Sequence, residues 1–202
     1  MPPMPALDFA ATHRNRDVLL GVLKPRLPGS GMVLEIGSGS GQHHVYFGAA
    51  LPHLNWQPTD IEPDHLRSIT AWQDLQPSAG LLPAKKLDLL KPWPVQQADA
   101  VLCFNVIHIS PRACTPALFE GAGQVLPKGG RLFTYGPYTF GGLHTAQSNV
   151  RFQELLESMD PDFGVRDADE LAELALENGL SLVEKVAMPA NNFTLVFEKT
   201  DA

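Results

Sequence analysis

The chain has 202 residues, of which 44% are hydrophobic and 18% are charged, which predicts one globular domain with a substantial core. Its formal net charge of -7 argues against a large phosphate-binding surface, so we expect no nucleic acid partner. No window reaches the roughly 18 apolar residues of a membrane span, and the first five residues lack the basic and apolar regions of a leader. We therefore expect a cytoplasmic protein that binds no membrane.

The two cysteines give no sign of a metal site. Cys103 and Cys114 lack the paired spacing of metal ligands, and Cys103 lies in an apolar run. We expect both to be free thiols and no metal to be bound.

The apolar residues predict helices and strands that alternate along the chain. An N-terminal helix is expected over residues 12–27, with Thr12 as its N-cap, and it would cap the pocket of the sheet that follows. Strands are expected over 32–36, 54–60, 81–87, 100–104 and 131–135. Helices are expected over 42–51, 62–75, from Thr115 to before Pro127, and over 146–159.

The last third changes this alternation. A helix is expected from Asp167 to Asn178, because Asp167 can cap it, Glu170 occupies the capping-box position and Gly179 follows its end. Strands over 180–187 and 193–199 are joined by only five residues, 188–192, so they must pair antiparallel. Five strand-helix units followed by an antiparallel hairpin predict an α/β fold that differs from an all-parallel dinucleotide-binding domain.

The first strand runs into a glycine-rich turn, Gly37-Ser38-Gly39-Ser40-Gly41. Glycines at alternate positions permit positive φ angles and leave no Cβ between the backbone and a ligand. A dinucleotide site would place its third glycine at position 42, which is Gln42, and no Gly-Lys-Ser/Thr of a P-loop follows. With Glu35 two residues before the first glycine, the turn resembles motif I of the class I methyltransferases, which bind S-adenosylmethionine (SAM).

This resemblance implies a specific sheet. It is the Rossmann-like sheet of the class I methyltransferases, with seven strands in the order 3-2-1-4-5-7-6, strand 7 antiparallel and helices on both faces. Ligands bind at the carboxyl ends of the parallel strands of such a sheet.

Two acids follow such strand ends. Asp60 closes the second strand and is expected to accept hydrogen bonds from the ribose hydroxyls of SAM, the alternative being a solvated turn acid. Asp88 follows the third strand and is expected at the adenine amino group, the alternative being an ordinary loop acid. The adjacent Ile61 and Leu89 belong to the same expected cofactor site.

The amino acid end of SAM is expected near three other residues. Glu35 lies inside the first strand, where a buried acid must be paired, and is expected to brace the glycine turn that contains Ser38. Asn105 ends the fourth strand, and its amide or carbonyl is expected at the methionine ammonium group.

The acceptor side is expected at His108 and Tyr138. His108 is interpreted as a general base, the alternative being a buried structural hydrogen bonder. The segment Asn105-Val106-Ile107-His108 lacks the Pro-Pro-aromatic sequence of methyltransferases that act on nucleobase or glutamine amino groups. An oxygen, carboxylate, thiol or more basic nitrogen acceptor is therefore left open.

Several loops carry more polar residues than a connection needs. We expect at least one of Arg14, Asn15, Tyr138 and Asn149 to contact a ligand, with Arg14 and Asn15 on the cofactor side. For each of them the alternative is an ordinary capping or turn residue.

The motifs together resemble the methyltransferase-like-26 family, also labelled domain of unknown function 938. The resemblance implies a class I SAM-binding fold and little about the substrate. The segments that carry it are Phe9-Ala10-Ala11, Arg14-Asn15-Arg16-Asp17, Leu34 to His43, Trp56 to Asp60, Asn105 to Pro111, Tyr135 to Tyr138, Ser148-Asn149 and Met188 to Asn192.

The resulting hypothesis is a SAM-dependent methyltransferase. A small-molecule acceptor is expected because the chain carries no appended basic or recognition domain, and a protein acceptor is the alternative. The rival hypotheses are a non-catalytic interaction subunit with the SAM fold and an NAD-linked oxidoreductase.

Overall fold

The computed structural model describes residues 6–200. The helices are α1 (Ala10–Leu23), α2 (Gln42–Ala50), α3 (Pro63–Leu75), α4 (Cys114–Val125), α5 (Gln147–Met159) and α6 (Ala168–Glu177). The first strands are β1 (Met32–Ile36), β2 (Asn55–Asp60), β3 (Lys85–Lys86), β4 (Ala100–Phe104) and β5 (Arg131–Gly136). The remaining strands are β6 (Tyr138–Phe140), β7 (Leu143–His144), β8 (Arg166–Asp167), β9 (Leu180–Met188) and β10 (Asn192–Lys199).

The main sheet has seven strands in the order β3-β2-β1-β4-β5-β10-β9. Its last strand, β10, runs antiparallel to both β5 and β9. Because β9 and β10 are the sixth and seventh strands of this sheet in chain order, the predicted order 3-2-1-4-5-7-6 is confirmed. The short link between them is a 3-10 turn, Pro189–Asn191.

The chain divides into two compact units, Met1–Leu102 and Cys103–Ala202. In the first unit β1 pairs parallel with β2, and β2 pairs parallel with β3. Val33, Leu34 and Trp56 on these strands are fully buried. They form the core against which the glycine turn is positioned. The single domain expected from chain length stays a prediction.

The second unit contains the antiparallel strands β5, β10 and β9 and a separate three-stranded sheet in the order β7-β6-β8. Its core includes Phe119 of α4 and Phe197 of β10, whose rings meet edge to face with centroids 5.0 Å apart. Asp167 caps α6 as predicted, because its side chain accepts from the backbone N–H groups of Asp169 and Glu170.

The first helix differs from its prediction. It begins at Ala10 and ends at Leu23, and its N-cap residue is Phe9, so the assignment of Thr12 as N-cap is wrong. Thr12 is buried inside the helix, and its backbone N–H donates to the Phe9 carbonyl at 3.0 Å. Packing of this side chain therefore overrides its preference for a capping position.

The third strand is much shorter than the predicted 81–87. Only Lys85–Lys86 pair with β2, and a single bridge joins Leu81 to Trp56. Pro83 lies between these two pairings and has no N–H to donate to a ladder, which explains the interruption.

No helix within residues 6–200 is long and apolar enough to cross a bilayer.

Candidate cofactor site

The glycine turn has the backbone conformation that its sequence predicts. Gly37, Gly39 and Gly41 have φ angles of 64°, 56° and 92°, all in the left-handed region that favours glycine. Gly41 is also needed for packing, because a Cβ built on it would lie 2.7 Å from the Cα of Ile69 in α3. The turn therefore connects β1 to α2 in a backbone conformation in which most other residues would be strained.

Glu35 braces this turn from within β1. Its side chain is 3% exposed, and its Oε2 accepts a hydrogen bond of 2.8 Å from the Ser38 hydroxyl. Burial raises the pKa of Glu35 to about 7; the Ser38 hydrogen bond opposes this rise and the charge of Asp60 adds to it. The pairing expected for a buried acid is thus present, whereas the contact with the amino end of SAM stays a prediction.

Backbone bonds hold the turn against β2. The Ser38 N–H donates to the Thr59 carbonyl at 2.8 Å, and the Thr59 hydroxyl donates to the Glu35 carbonyl at 2.7 Å. Since Thr59 precedes Asp60, these bonds fix the end of β2 beside the glycines.

Asp60 connects the two strand ends directly. It is 5% exposed, and its Oδ2 accepts from the Gly39 N–H at 2.8 Å. Its Oδ1 accepts from the Glu62 N–H at 2.9 Å and lies 3.1 Å from Nδ1 of His65. Each carboxylate oxygen can accept two hydrogen bonds, so Oδ2 keeps capacity for one more donor. The carboxylate is thus held in position and still able to accept a hydroxyl.

Phe9 lies on the glycine turn, a contact that the sequence does not predict. A Cβ on Gly39 would lie 3.2 Å from the ring of Phe9, and the Phe9 N–H donates to Oε1 of Gln42 at 2.7 Å. The Phe9 and His65 rings meet edge to face at 5.9 Å. His65 has a readable signal, since it lies in the first turn of α3, five residues after Asp60.

Ile61, Asp88 and Leu89 are on the same unit as the turn. Ile61 follows Asp60 and is 46% exposed, so its side chain is accessible to a ligand. Asp88 is half-buried; its Oδ1 accepts from the Leu90 N–H at 3.0 Å, and its Oδ2 is 3.4 Å from the Lys91 ammonium. The adenine contact of Asp88 and the cofactor contacts of Ile61 and Leu89 stay predictions.

Arg14 and Asn15 on α1 have different surroundings. Arg14 is exposed, whereas Asn15 is buried and its Oδ1 lies 2.8 Å from Nε2 of His43 in α2. Burial lowers the pKa of His43 to about 4, and nearby Arg16 lowers it further. The neutral ring then donates to Asn15, so Asn15 joins α1 to α2. A cofactor contact by either residue stays a prediction.

Four predicted ligand-side residues belong to the second unit and are described within it: Asn105, His108, Tyr138 and Asn149. Asn105 follows β4 with a φ of 58°, and its N–H donates to the Tyr135 carbonyl at 2.8 Å. Left-handed backbone in a non-glycine residue is strained, and such strain often accompanies functional sites. The expected ammonium contact of Asn105 stays a prediction.

His108 and Tyr138, the residues predicted to be catalytic, lie against each other. Both are fully buried, and their rings meet edge to face at 5.1 Å. Burial lowers the pKa of His108 to about 3, with a contribution from nearby Arg166, and burial raises the pKa of Tyr138 above its usual range. His108 is therefore neutral and only weakly basic, which favours binding or packing over proton abstraction. The catalytic assignments stay predictions.

Asn149 fastens the hairpin link between β9 and β10. Its Nδ2 donates to the Asn191 carbonyl at 3.0 Å, and Nδ2 of Asn191 donates to the Ser148 hydroxyl at 3.2 Å. Ala190 and Asn191 both have positive φ angles, of 59° and 58°. The Asn149 amide therefore holds a strained link in place, and its contact with a ligand stays a prediction.

Within residues 6–200, no group of three or more His, Cys, Asp or Glu residues is arranged to hold a metal ion. Cys103 and Cys114 are buried free thiols, as the sequence predicts.

The order of the seven strands, the left-handed glycine turn after β1 and the acid at the end of β2 define the Rossmann-like fold of the SAM-dependent methyltransferases. Residues 8–199 match the family described as "Protein of unknown function (DUF938)". The chain belongs to this family.

Solved structures with this fold include several methyltransferases. The chain is 16% identical to the mitomycin 7-O-methyltransferase MmcR, with a TM-score of 0.79, and the match covers 95% of this chain and 55% of that one. It is 17% identical to CalO1, a methyltransferase in calicheamicin biosynthesis in its SAH-bound form, with a TM-score of 0.74 and coverage of 94% and 54%.

A third similar structure is shorter. YcgJ from Bacillus subtilis is 12% identical, with a TM-score of 0.70 and coverage of 94% of this chain and 100% of that one. By contrast, the chain spans little more than half the length of MmcR and CalO1. These similarities establish the fold.

Proposed function

We propose that this protein is a SAM-dependent methyltransferase that binds SAM on the glycine turn of its first unit. The observation that carries the proposal is the bond from the Gly39 N–H to Oδ2 of Asp60, which joins a left-handed glycine turn to the acid at the end of β2. A turn of this kind admits the methionine part of a ligand next to the backbone, and the acid beside it suits the ribose hydroxyls.

The residues present fit such a cofactor. Oδ2 of Asp60 can accept one more hydrogen bond, and the hydrogen bonds that the carboxylate already accepts fix its orientation. Gly37 and Gly39 present no side chain to the ligand. We propose Ile61, Asp88 and Leu89 for the adenine, and Arg14 and Asn15 for the rim of the cofactor site.

The sulfonium of SAM, when bound, supplies an activated methyl group. The protein must then orient the acceptor in line with that group and, where the acceptor carries a proton, allow its removal. For the amino acid end we propose Glu35, Ser38 and Asn105. We propose His108 and Tyr138 for the acceptor side.

The acceptor is proposed to be a small molecule. MmcR is a 7-O-methyltransferase of mitomycin, and CalO1 is a methyltransferase in calicheamicin biosynthesis. These functions support the proposal of a small-molecule acceptor for this chain. The resemblance of its motifs to the methyltransferase-like-26 family agrees with this class of reaction. We propose a cytoplasmic location.

Calorimetric titration with S-adenosylhomocysteine tests the cofactor site. We expect saturable binding by the wild-type protein and at least a tenfold weaker affinity in Asp60→Asn, because the amide carries no charge for the ribose hydroxyls. The control Asp64→Asn removes an exposed carboxylate that pairs with Arg67 on α3, and its affinity should stay within twofold of wild type.

Two results would count against this site. The first is a folded wild-type protein that does not bind the ligand, and the second is an Asp60→Asn variant with unchanged affinity. A thermal shift with NAD and none with SAM would favour the oxidoreductase. Binding of SAM together with a stable protein partner and no transfer of labelled methyl groups to extract components would favour the non-catalytic subunit.

A further inference from the structure

Unsatisfied polar atoms concentrate at one place in the second unit. Within residues 6–200, ten buried side-chain nitrogen or oxygen atoms have no hydrogen-bond partner, and six of them belong to just four residues. These four residues, here called the His108–Arg166 cluster, are His108, Ser110, Thr115 and Arg166. A buried polar group without a partner costs about 1–3 kcal/mol, so such a concentration requires an explanation.

Hydrogen bonds place Arg166 beside Ser110 and join its segment to His108. Nη2 of Arg166 donates to the Ser110 carbonyl at 2.9 Å and to the Asp162 carbonyl at 3.2 Å. The Gly164 N–H donates to the His108 carbonyl at 2.9 Å. The segment 162–166 is thereby fastened to the segment that runs from His108 into the first turn of α4, where Thr115 lies.

The rings at the base of the cluster are fixed as well. Tyr138 is the register partner of Arg166 across β6 and β8, and its ring meets His108 edge to face. On the other side, a Cβ built on Gly136 would lie 2.4 Å from Nε2 of His108. The glycine at this strand end therefore leaves the space that the imidazole occupies.

The cluster carries a positive charge without a bound counter-ion. Arg166 is 7% exposed and forms no ion pair with any residue among 6–200. Burial and the nearby charge of Arg112 lower the pKa of Arg166, while Asp162 and Glu170 oppose this effect. A buried guanidinium that no carboxylate contacts at ion-pair distance is costly, because backbone carbonyls replace only part of its lost hydration.

The free atoms are mostly donors. Nε and Nη1 of Arg166 carry N–H groups and no lone pair to offer, and the hydroxyls of Ser110 and Thr115 are free to donate. An excess of donors around a buried cation matches a ligand that brings negative charge and several acceptor oxygens.

We propose that the His108–Arg166 cluster binds an oxyanion, namely the carboxylate or phosphate group of the methyl acceptor. This rests on the proposed function, since it names the class of acceptor for the same enzyme. In this role the hydroxyls of Ser110 and Thr115 hold the anionic group, and Arg166 supplies the opposite charge.

Calorimetric titration without SAM tests this site. The probes are benzoate, inorganic phosphate and, as the neutral counterpart of benzoate, benzamide. We expect saturable binding of benzoate or phosphate and none of benzamide, and at least a tenfold loss of the oxyanion affinity in Arg166→Gln. The matched control is Arg151→Gln, which removes an exposed guanidinium on α5 of the same unit and should change the affinity less than twofold.

A second pair of variants keeps the guanidinium in case Arg166→Gln does not fold. Ser110→Ala and Thr115→Val each remove one hydroxyl with little change in shape, and each should weaken oxyanion binding about threefold or more. Preference for benzoate over phosphate identifies a carboxylate acceptor, and the opposite preference identifies a phosphate.

The proposal is overturned if the folded wild-type protein binds neither oxyanion, or if the affinity of every folded cluster variant equals that of wild type. It is equally overturned if a crystal grown with the bound probe shows only water on Nε and Nη1 of Arg166. Titration of the same samples with S-adenosylhomocysteine separates the two hypotheses. Cofactor binding without oxyanion binding refutes this site alone, whereas the reverse refutes the proposed function.

Discussion

Glu35 makes the stability of this protein depend on pH in a direction opposite to that of most carboxylates. Burial in β1 raises its pKa from 4.5 in the unfolded chain to about 7. Between these values the unfolded chain releases the proton while the folded protein keeps it, so the free energy of unfolding falls as the pH rises. A pKa difference of about 2.5 corresponds to a loss of about 3 kcal/mol, complete once the pH exceeds the folded-state pKa.

The variant Glu35→Gln isolates this contribution. Its side-chain carbonyl can still accept from the Ser38 hydroxyl, but it has no proton to lose in this range. We expect the free energy of unfolding of Glu35→Gln, relative to wild type, to rise by about 3 kcal/mol between pH 4.5 and pH 8. Other titrating groups are common to both proteins and cancel in this difference.

Urea denaturation followed by circular dichroism at a series of pH values measures this difference. The control is Glu173→Gln, which removes an exposed carboxylate on α6, and its relative stability should vary by less than about 0.5 kcal/mol over the same range. A relative stability of Glu35→Gln that stays within 1 kcal/mol at all pH values would refute the reasoning, because Glu35 would then be ionised at an ordinary pKa in the folded protein.

Three further predictions concern stability and reactivity. Gly41→Ala should lower the free energy of unfolding by about 2–4 kcal/mol in a denaturant titration, because the φ of Gly41 is 92° and a Cβ would overlap the α3 backbone. The control Gly129→Ala, at a φ of 77° with open space around it, should lower it by about 1 kcal/mol. Equal losses in the two variants would contradict the packing argument. Asp167→Ala should lower the free energy of unfolding by about 1–2 kcal/mol through loss of the α6 cap, and a change below 0.3 kcal/mol would contradict that role. Cys103 and Cys114 should react with a thiol reagent at least about a hundredfold more slowly in the native protein than in urea. Both thiols are buried, and burial raises the pKa of Cys103. Rapid labelling of the native protein would contradict this burial.

Parts of the main sheet could be predicted from the sequence, where a strand is a short apolar run with a stop signal. The predictions for β1 and β4 agree with the structure at both ends, since each is a short apolar run between polar or glycine residues. The antiparallel pairing of β10 followed from the five-residue link, which is too short for a crossover.

The elements that the sequence did not predict are those set by tertiary contacts. The small sheet of β6, β7 and β8 consists of strands of two or three residues, too short to show an alternating pattern. The predicted start of α1 is wrong because threonine is a common N-cap residue, whereas burial of the Thr12 side chain decides its position in the helix.

The candidate site likewise contains features that the sequence predicts and features that only tertiary contacts determine. The left-handed glycines and the position of Asp60 could be predicted, because glycine adopts these φ angles without strain and the acid closes a recognisable strand. The contact of Phe9 with the turn joins residues 30 positions apart, and no local pattern encodes it. The loss of basicity of His108 follows from burial, which the sequence of its turn does not reveal.

A crystal structure with S-adenosylhomocysteine tests the central claim most directly. We expect the amino acid part of the ligand over residues 37–41 and its ribose hydroxyls within hydrogen-bond distance of Oδ2 of Asp60. A ligand bound elsewhere, or one whose ribose does not touch Asp60, would contradict the assignment of the glycine turn as the cofactor site.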